Sequence, residues 1–240
     1  VLALIAVSGA PGAPASSDSI PASGAARAET VTLAPFAAHF TADWKSINVG
    51  TSDIELTADS APGRYVYTWT TMGRGVFRLA FDDVAQKSWI SVLAGRVRPE
   101  KYFAKQGNST RTIDFDWNDG HARGLADGKF IDLKLDSGIQ DVMSIQIQVM
   151  LDVAGGRLPA TFKILDNDEI KDFIYTLEGP ARIRTALGEL DTLVVADRRA
   201  GSNRVLKMWF APALGFVPVQ AERLRDGKLE FALRIKTLKR

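Results

Sequence analysis

The stretch from Lys228 to Lys236 constrains the fold most. Leu229, Phe231, Leu233 and Ile235 alternate with Lys228, Glu230, Arg234 and Lys236. This period of two gives a strand one buried face and one wet face. Asp226-Gly227 precedes it, a pair that tolerates the left-handed backbone of a tight hairpin turn. Working backwards, Phe216 to Leu224, Val205 to Ala211 and Gly188 to Arg199 read as three more strands. The last quarter of the chain is therefore an antiparallel meander. Pro218 sits inside one of these strands, although it lacks the N–H that a central ladder position uses.

The same pattern begins near Val31. Phe36 to Trp44 places Phe36, Ala38 and Phe40 on one side, and Thr51 to Ala58 follows. Arg64 to Thr71 sets Tyr65, Tyr67 and Trp69 against Val66, Thr68 and Thr70, aromatic and β-branched throughout. Met72 to Phe81 is open to strand or short helix. Ser88 to Ala94, a segment from Arg98, Arg111 to Trp117 and Lys129 to Leu135 continue the series, with a hairpin turn at Asn118-Asp119-Gly120. The period then changes. Gly138 to Gly155 is predicted as a helix, capped by Asp141 or Ser137, with Val142, Ile145, Val149 and Leu151 to Val153 as its apolar surface. Its β-branched content makes it a poor autonomous helix, so packing must hold it. Strands resume at Ala160 to Leu165 and Lys171 to Leu177, around a turn at 166–168. The fold expected is mainly β. It is a single antiparallel sheet of about ten or more strands, curled into a barrel or β-spiral, with one helix packed in or across it.

The formal charge of +2 makes no electrostatic case for nucleic acid. The absence of cysteine excludes disulfides, thiolate metal sites and cysteine nucleophiles. Val1 to Val7 is apolar, and Gly, Ala, Pro and Ser dominate up to about Glu29. This reads as the remnant of a signal peptide and a disordered linker over 1–28, with 29–240 as one β-barrel-like domain. Of two Ala-x-Ala sites, Ala26-Arg27-Ala28 is preferred to Ala13-Pro14-Ala15. The apolar run falls far short of the roughly 20 residues of a membrane span. The expected location is the periplasm, soluble after cleavage.

Sequence motifs offer little chemistry. Asp114-x-Asp116-x-Asn118-Asp119-Gly120 has calcium-loop character, but Asp119 and Leu125 stand where that loop needs Gly and Glu. His39 and His121 lie on a strand and beside a turn, with no nucleophile-elbow serine to activate. Arg198-Arg199 and Arg223 to Lys228 read as solvated basic turns. The aromatics Trp44, Tyr65, Tyr67, Trp69, Trp89, Tyr102, Trp117 and Trp209 either pack the core or wall a cavity for a lipid or peptide. An open curl also leaves edge strands that could receive a partner's strand.

A set of landmarks in a fixed order carries a family resemblance. They are Phe36 to Trp44 with Val49-Gly50, Tyr65 to Trp69, Arg98-Pro99-x-x-Tyr102, and Asp141-Val-Met-Ser144. Tyr175-x-x-x-Gly179, Thr185-x-x-Gly188-x-x-x-Thr192, Trp209-Phe-Ala-Pro212, Pro218-Val219 and Asp226-Gly227 follow. From about Pro35 to Leu238 the chain resembles the exported bacterial family of domain of unknown function 3108. The helix opening departs from that family's more usual Asp-Leu/Met-Leu-Ser. The resemblance implies a periplasmic β-barrel-like or β-spiral domain, similar in outline to envelope lipoprotein carriers and envelope-homeostasis β-spirals. It brings no catalytic residue.

The function expected is a non-enzymatic periplasmic binding or cell-envelope maintenance protein. The alternative is a carrier for a lipid or lipoprotein acyl chain, with an apolar cavity inside the sheet. Trp69, Tyr67, Tyr102 and Trp209 are the candidate cavity residues. The expected partner is a lipid, a lipoprotein or an envelope protein, with no nucleic acid. No cofactor, metal, catalytic residue or transmembrane anchor in the mature chain is expected.

Overall fold

The computed structural model describes residues 33–79, 82–166 and 168–240. The leader reading over 1–28, the segment 29–32 and the middle of the 166–168 turn lie outside the described residues.

Among the described residues, fifteen strands form one sheet. In chain order they are β1 Phe36–Trp44, β2 Ile47–Ala58, β3 Arg64–Gly73, β4 Val84–Leu93, β5 Arg96–Gln106, β6 Ser109–Asp116, β7 His121–Ala126 and β8 Lys129–Lys134. After β9 Gln140–Asp141 comes the helix α1 Ser144–Ala154. Then follow β10 Ala160–Asp166, β11 Glu169–Thr185, β12 Gly188–Arg198, β13 Arg204–Ala211, β14 Val217–Arg225 and β15 Lys228–Lys239. The segment open to strand or helix divides: β3 ends at Gly73, and a short 3-10 turn spans Gly75–Leu79.

The order across the sheet is β8-β7-β6-β5-β4-β3-β2-β1-β15-β14-β13-β12-β11-β10-β9. Two antiparallel meanders, β1 to β8 and β10 to β15, are joined by the β1–β15 pair. The chain steps from one edge to the other through residues 135–139, so the edges are brought toward each other and the sheet curls. Lys129 on β8 reaches Asp168 at 3.4 Å, and Lys163 on β10 reaches Asp136 at 3.9 Å. Register shifts at His39/Phe40, Ala42/Asp43, Trp89/Ile90, Leu177/Gly179, Trp209/Phe210 and Arg223/Leu224 add the local twist and bend that curl a wide sheet. Pro218 is tolerated in an interior strand because it pairs at the Trp209/Phe210 irregularity and precedes the first β15 partner, at Gln220.

The core lies on the concave face. Cross-strand pairing sets Leu56, Tyr67, Ser88, Tyr102 and Ile113 in one row over β2 to β6. Phe36, Ala38, Phe40 and Ala42 continue this buried surface on β1. The helix occupies the inside of the curl, and Ser144 to Val153 are all buried. It starts later than the expected Gly138, because Gln140 and Asp141 pair in parallel with Ile164 and Leu165. A helix buried on every side has no single apolar stripe, so its side chains are not confined to the apolar surface expected.

The last strand corrects the period-two reading. Phe231 pairs with Arg223 and Leu229 pairs with Leu224, which leaves Glu230 as the extra residue of a bulge. Leu229 is thereby out of phase with Phe231, Leu233 and Ile235.

Candidate functional site

The helix is fixed from its first turn by the Asp141 side chain. Asp141 Oδ1 accepts the backbone N–H groups of Met143 at 2.7 Å and Ser144 at 2.8 Å. In return, Ser144 Oγ accepts the Asp141 N–H at 2.9 Å, a reciprocal cap. Oδ2 of Asp141 accepts the Ser88 hydroxyl of β4 at 2.6 Å. Burial pushes the Asp141 carboxyl above the usual carboxylate range, and these hydrogen bonds oppose the shift.

The next polar residues of the helix are equally committed. The Tyr67 hydroxyl donates to Gln146 Oε1 at 3.0 Å. Gln148 Oε1 accepts the Val97 N–H at 2.7 Å, and its amide nitrogen reaches Gly95 O at 3.4 Å. At the far end Arg157 Nε meets Asp152 at 2.5 Å and another guanidinium nitrogen donates to Leu151 O at 3.0 Å. Ser88, Gln146, Gln148 and Asp152 are all buried, and each has a partner, as a low-dielectric interior requires.

Three of the four candidate aromatics share this interior. Tyr67 and Tyr102 flank Ser88 in one cross-strand row, so both stand beside the Asp141 cap. Burial pushes both phenols well above their ordinary range. Trp69 lies one inner row along and donates its indole N–H to Ser52 Oγ at 2.5 Å and Thr71 Oγ1 at 3.1 Å. Trp209 is elsewhere. It is half-buried and out of phase with the buried Leu206, Met208 and Phe210 of its own strand, so the structure does not bring it together with the other three.

A second polar group on the inner face escaped the sequence reading. Tyr175, Asp197, Leu206, Arg223 and Phe231 form a row across β11 to β15. Arg223 is only 8% exposed, which corrects its assignment to a solvated turn. It shares the odd sequence parity of the buried Val217 and Val219, but the bulge at Trp209/Phe210 breaks that phase, and the pairing of Arg223 with the buried Leu206 places it inward. Its guanidinium lies 5.9 Å from the Phe231 ring centroid, and burial lowers its hold on the proton. The bulge presents Glu230 to three arginines: Arg223 at 2.8 Å, Arg204 at 3.7 Å and Arg225 at 4.0 Å. Asp197 accepts the Leu206 N–H at 3.2 Å, and burial raises its carboxyl above the ordinary range.

The histidines lie on the surface, His39 against Asp53 at 2.7 Å and His121 against Asp132 at 2.5 Å. Asp116 accepts the N–H groups of Asn118 and Asp119, both at 3.0 Å, in keeping with a hairpin turn. Among the described residues, no group of three His, Cys, Asp or Glu side chains is placed to hold a metal ion. Nor is any helix among them long and apolar enough to cross a membrane.

Residues 39–234, from β1 into β15, match the family described as protein of unknown function (DUF3108). The chain belongs to the DUF3108 family. A search of curated proteins gives no significant match. Among solved structures, this DUF3108 chain is similar to a β-barrel-like protein of domain of unknown function DUF1849 from Brucella abortus. The identity is 10%, the TM-score is 0.56, and the alignment covers 85% of this chain and 97% of that one. That likeness supports the curled, barrel-like architecture. A putative lipoprotein from Parabacteroides distasonis aligns at 10% identity with a TM-score of 0.40, covering 85% of this chain and 95% of that one.

Proposed function

We propose that this DUF3108 protein is a non-catalytic binding or maintenance module of the bacterial cell envelope, working in the periplasm. Its binding surface is the concave face of the curled sheet. One observation carries the reading: the polar side chains of α1 and its cap are spent on strand and backbone partners that lock the helix inside the curl. The helix is thereby a fixed part of that face, with its own polar side chains already engaged. The Ile-, Leu- and Val-rich lining agrees with it.

A second reading, a carrier for a lipid or lipoprotein acyl chain, is favoured by the inner-facing Tyr67, Trp69 and Tyr102 beside the apolar cluster. Aromatic and aliphatic walls with few polar groups suit an alkyl chain.

Native mass spectrometry of the protein purified from a bacterial envelope, with organic extraction of bound material, tests both. A reproducible lipid adduct that Trp69→Ala removes supports the carrier. A bare mass, with added phospholipid failing to bind, sinks the carrier and leaves a protein partner. Turnover of a bound envelope lipid or peptide would overturn the non-catalytic reading.

A further inference from the structure

We propose that the hairpin of residues 178–192 is a hinged gate across one end of the curl, through which a ligand of the concave face enters and leaves. The proposal rests on the binding reading above and adds the route of access. β10 stops pairing with β11 at Tyr175, and β13 stops pairing with β12 at Leu193. Beyond those points, among the described residues, β11 and β12 pair only with each other, out to Thr185 and Gly188. β11, β13 and β15 run the same way, so this two-stranded arm emerges at the end of the curl where β15 finishes and α1 hands over to β10. Three strands separate β11 from β15 in the sheet, yet the two touch. The arm therefore leaves the plane of its neighbours and crosses the end of the curl.

The two faces of the arm differ. Ile183 and Leu190, a cross-strand pair, pack against the apolar interior. On the other face Arg182 and Glu189 pair at 2.9 Å, with their side chains 67% and 55% exposed. At the base, Glu178 is the extra residue of the bulge between Leu177 and Gly179. Its carboxylate is tied to the sheet by Lys207 at 2.7 Å and Arg198 at 3.0 Å. Gly179 follows at a φ of 124°, a backbone that glycine adopts without the strain a side chain would bring. An anchored residue, then a glycine, then one apolar pair further out make a hinge with a latch. A two-stranded hairpin is only marginally stable by itself. The latch thus sets how often the arm opens, at a cost below that of unfolding the sheet.

Hydrogen exchange and stopped-flow binding of N-phenyl-1-naphthylamine, an apolar fluorescent probe, test this on the folded protein. In Ile183→Ser/Leu190→Ser, the hydrogen-bonded amides of residues 181–192 should exchange at least ~10-fold faster, with those of α1 unchanged. Association and dissociation of the probe should quicken together, by about 3-fold or more, with Kd nearly constant. Gly179→Ala is the second variant. A Cβ there meets nothing within 4 Å, so the change acts through the backbone, leaves the interior intact and should raise the same rates. Arm and helix exchanging together in both variants, or an arm no faster than in the parent, overturns the hinge. Probe rates equal in the parent and both variants overturn the gate and leave the binding reading standing. Failure of all three proteins to bind the probe overturns the gate together with the apolar binding face.

Discussion

The Ser88 hydroxyl donates to the Asp141 carboxylate at 2.6 Å, tying β4 to the first turn of α1 across 53 positions of chain. Asp141→Ala removes this bond and the cap on two N–H groups, and leaves Ser88 buried without its acceptor. The expected loss is about 2–4 kcal/mol of unfolding free energy, measured by urea denaturation. Asp141→Asn should lose less, since an amide oxygen can still accept from Met143 and Ser144.

The same pair of variants separates a pH effect. Burial raises the Asp141 carboxyl in the folded state. Between its unfolded and folded pKa values the native state therefore holds a proton that the unfolded state has released. That contribution increases stability as pH falls into this window and is lost as pH rises through the folded pKa. Subtracting the Asp141→Asn stability profile from the parent's should leave a component of this sign. A flat difference would mean that the carboxylate stays ionised in the interior.

Tyr67→Phe deprives Gln146 Oε1 of its 3.0 Å donor. A cost of about 1–2 kcal/mol is expected, since a buried acceptor is left unpaired. Adding Gln146→Leu should restore part of it, because both polar groups are then gone. A double-mutant cycle by chemical denaturation checks the coupling.

Gly124 is a packing requirement. A Cβ there would lie 1.9 Å from the Thr112 carbonyl oxygen and 2.9 Å from Ile113 Cα. Backbone of the paired strand cannot yield as a side chain can, so Gly124→Ala should cost about 1–3 kcal/mol and lower Tm.

Leu125 and Phe130 form an exposed cross-strand pair on the β7–β8 edge hairpin, 53% and 63% exposed. An apolar edge strand invites pairing with another chain. Phe130→Lys should reduce self-association in light scattering at high concentration, with stability held within about 0.5 kcal/mol.

Alternation reveals several strands well, because β1, β3 and β13 each carry several phased apolar or aromatic residues. Of the two caps expected, Asp141 and Ser137, it is Asp141 that holds backbone N–H groups at the helix start, those of Met143 and Ser144. The helix boundary was blurred because β9 borrows its backbone pairing from β10, a contact that no local pattern encodes. The aromatics on β3 and β5 fell together because cross-strand registers align them, whereas Trp209 follows the opposite phase of its own strand. The arginine cluster was hidden by the bulge at Glu230: one extra residue changes which face each neighbour serves. A reading by strict alternation cannot carry phase across it.

The β1–β15 pair has a consequence for how the chain assembles. Each meander can form from hairpins between neighbours in sequence, whereas Thr41 reaches the Arg234 carbonyl across 193 positions. Joining the two arms thus carries the largest loop-closure cost in the sheet. The central seam, with strands on both sides of it, is the pairing that must wait for the most distant segments to meet.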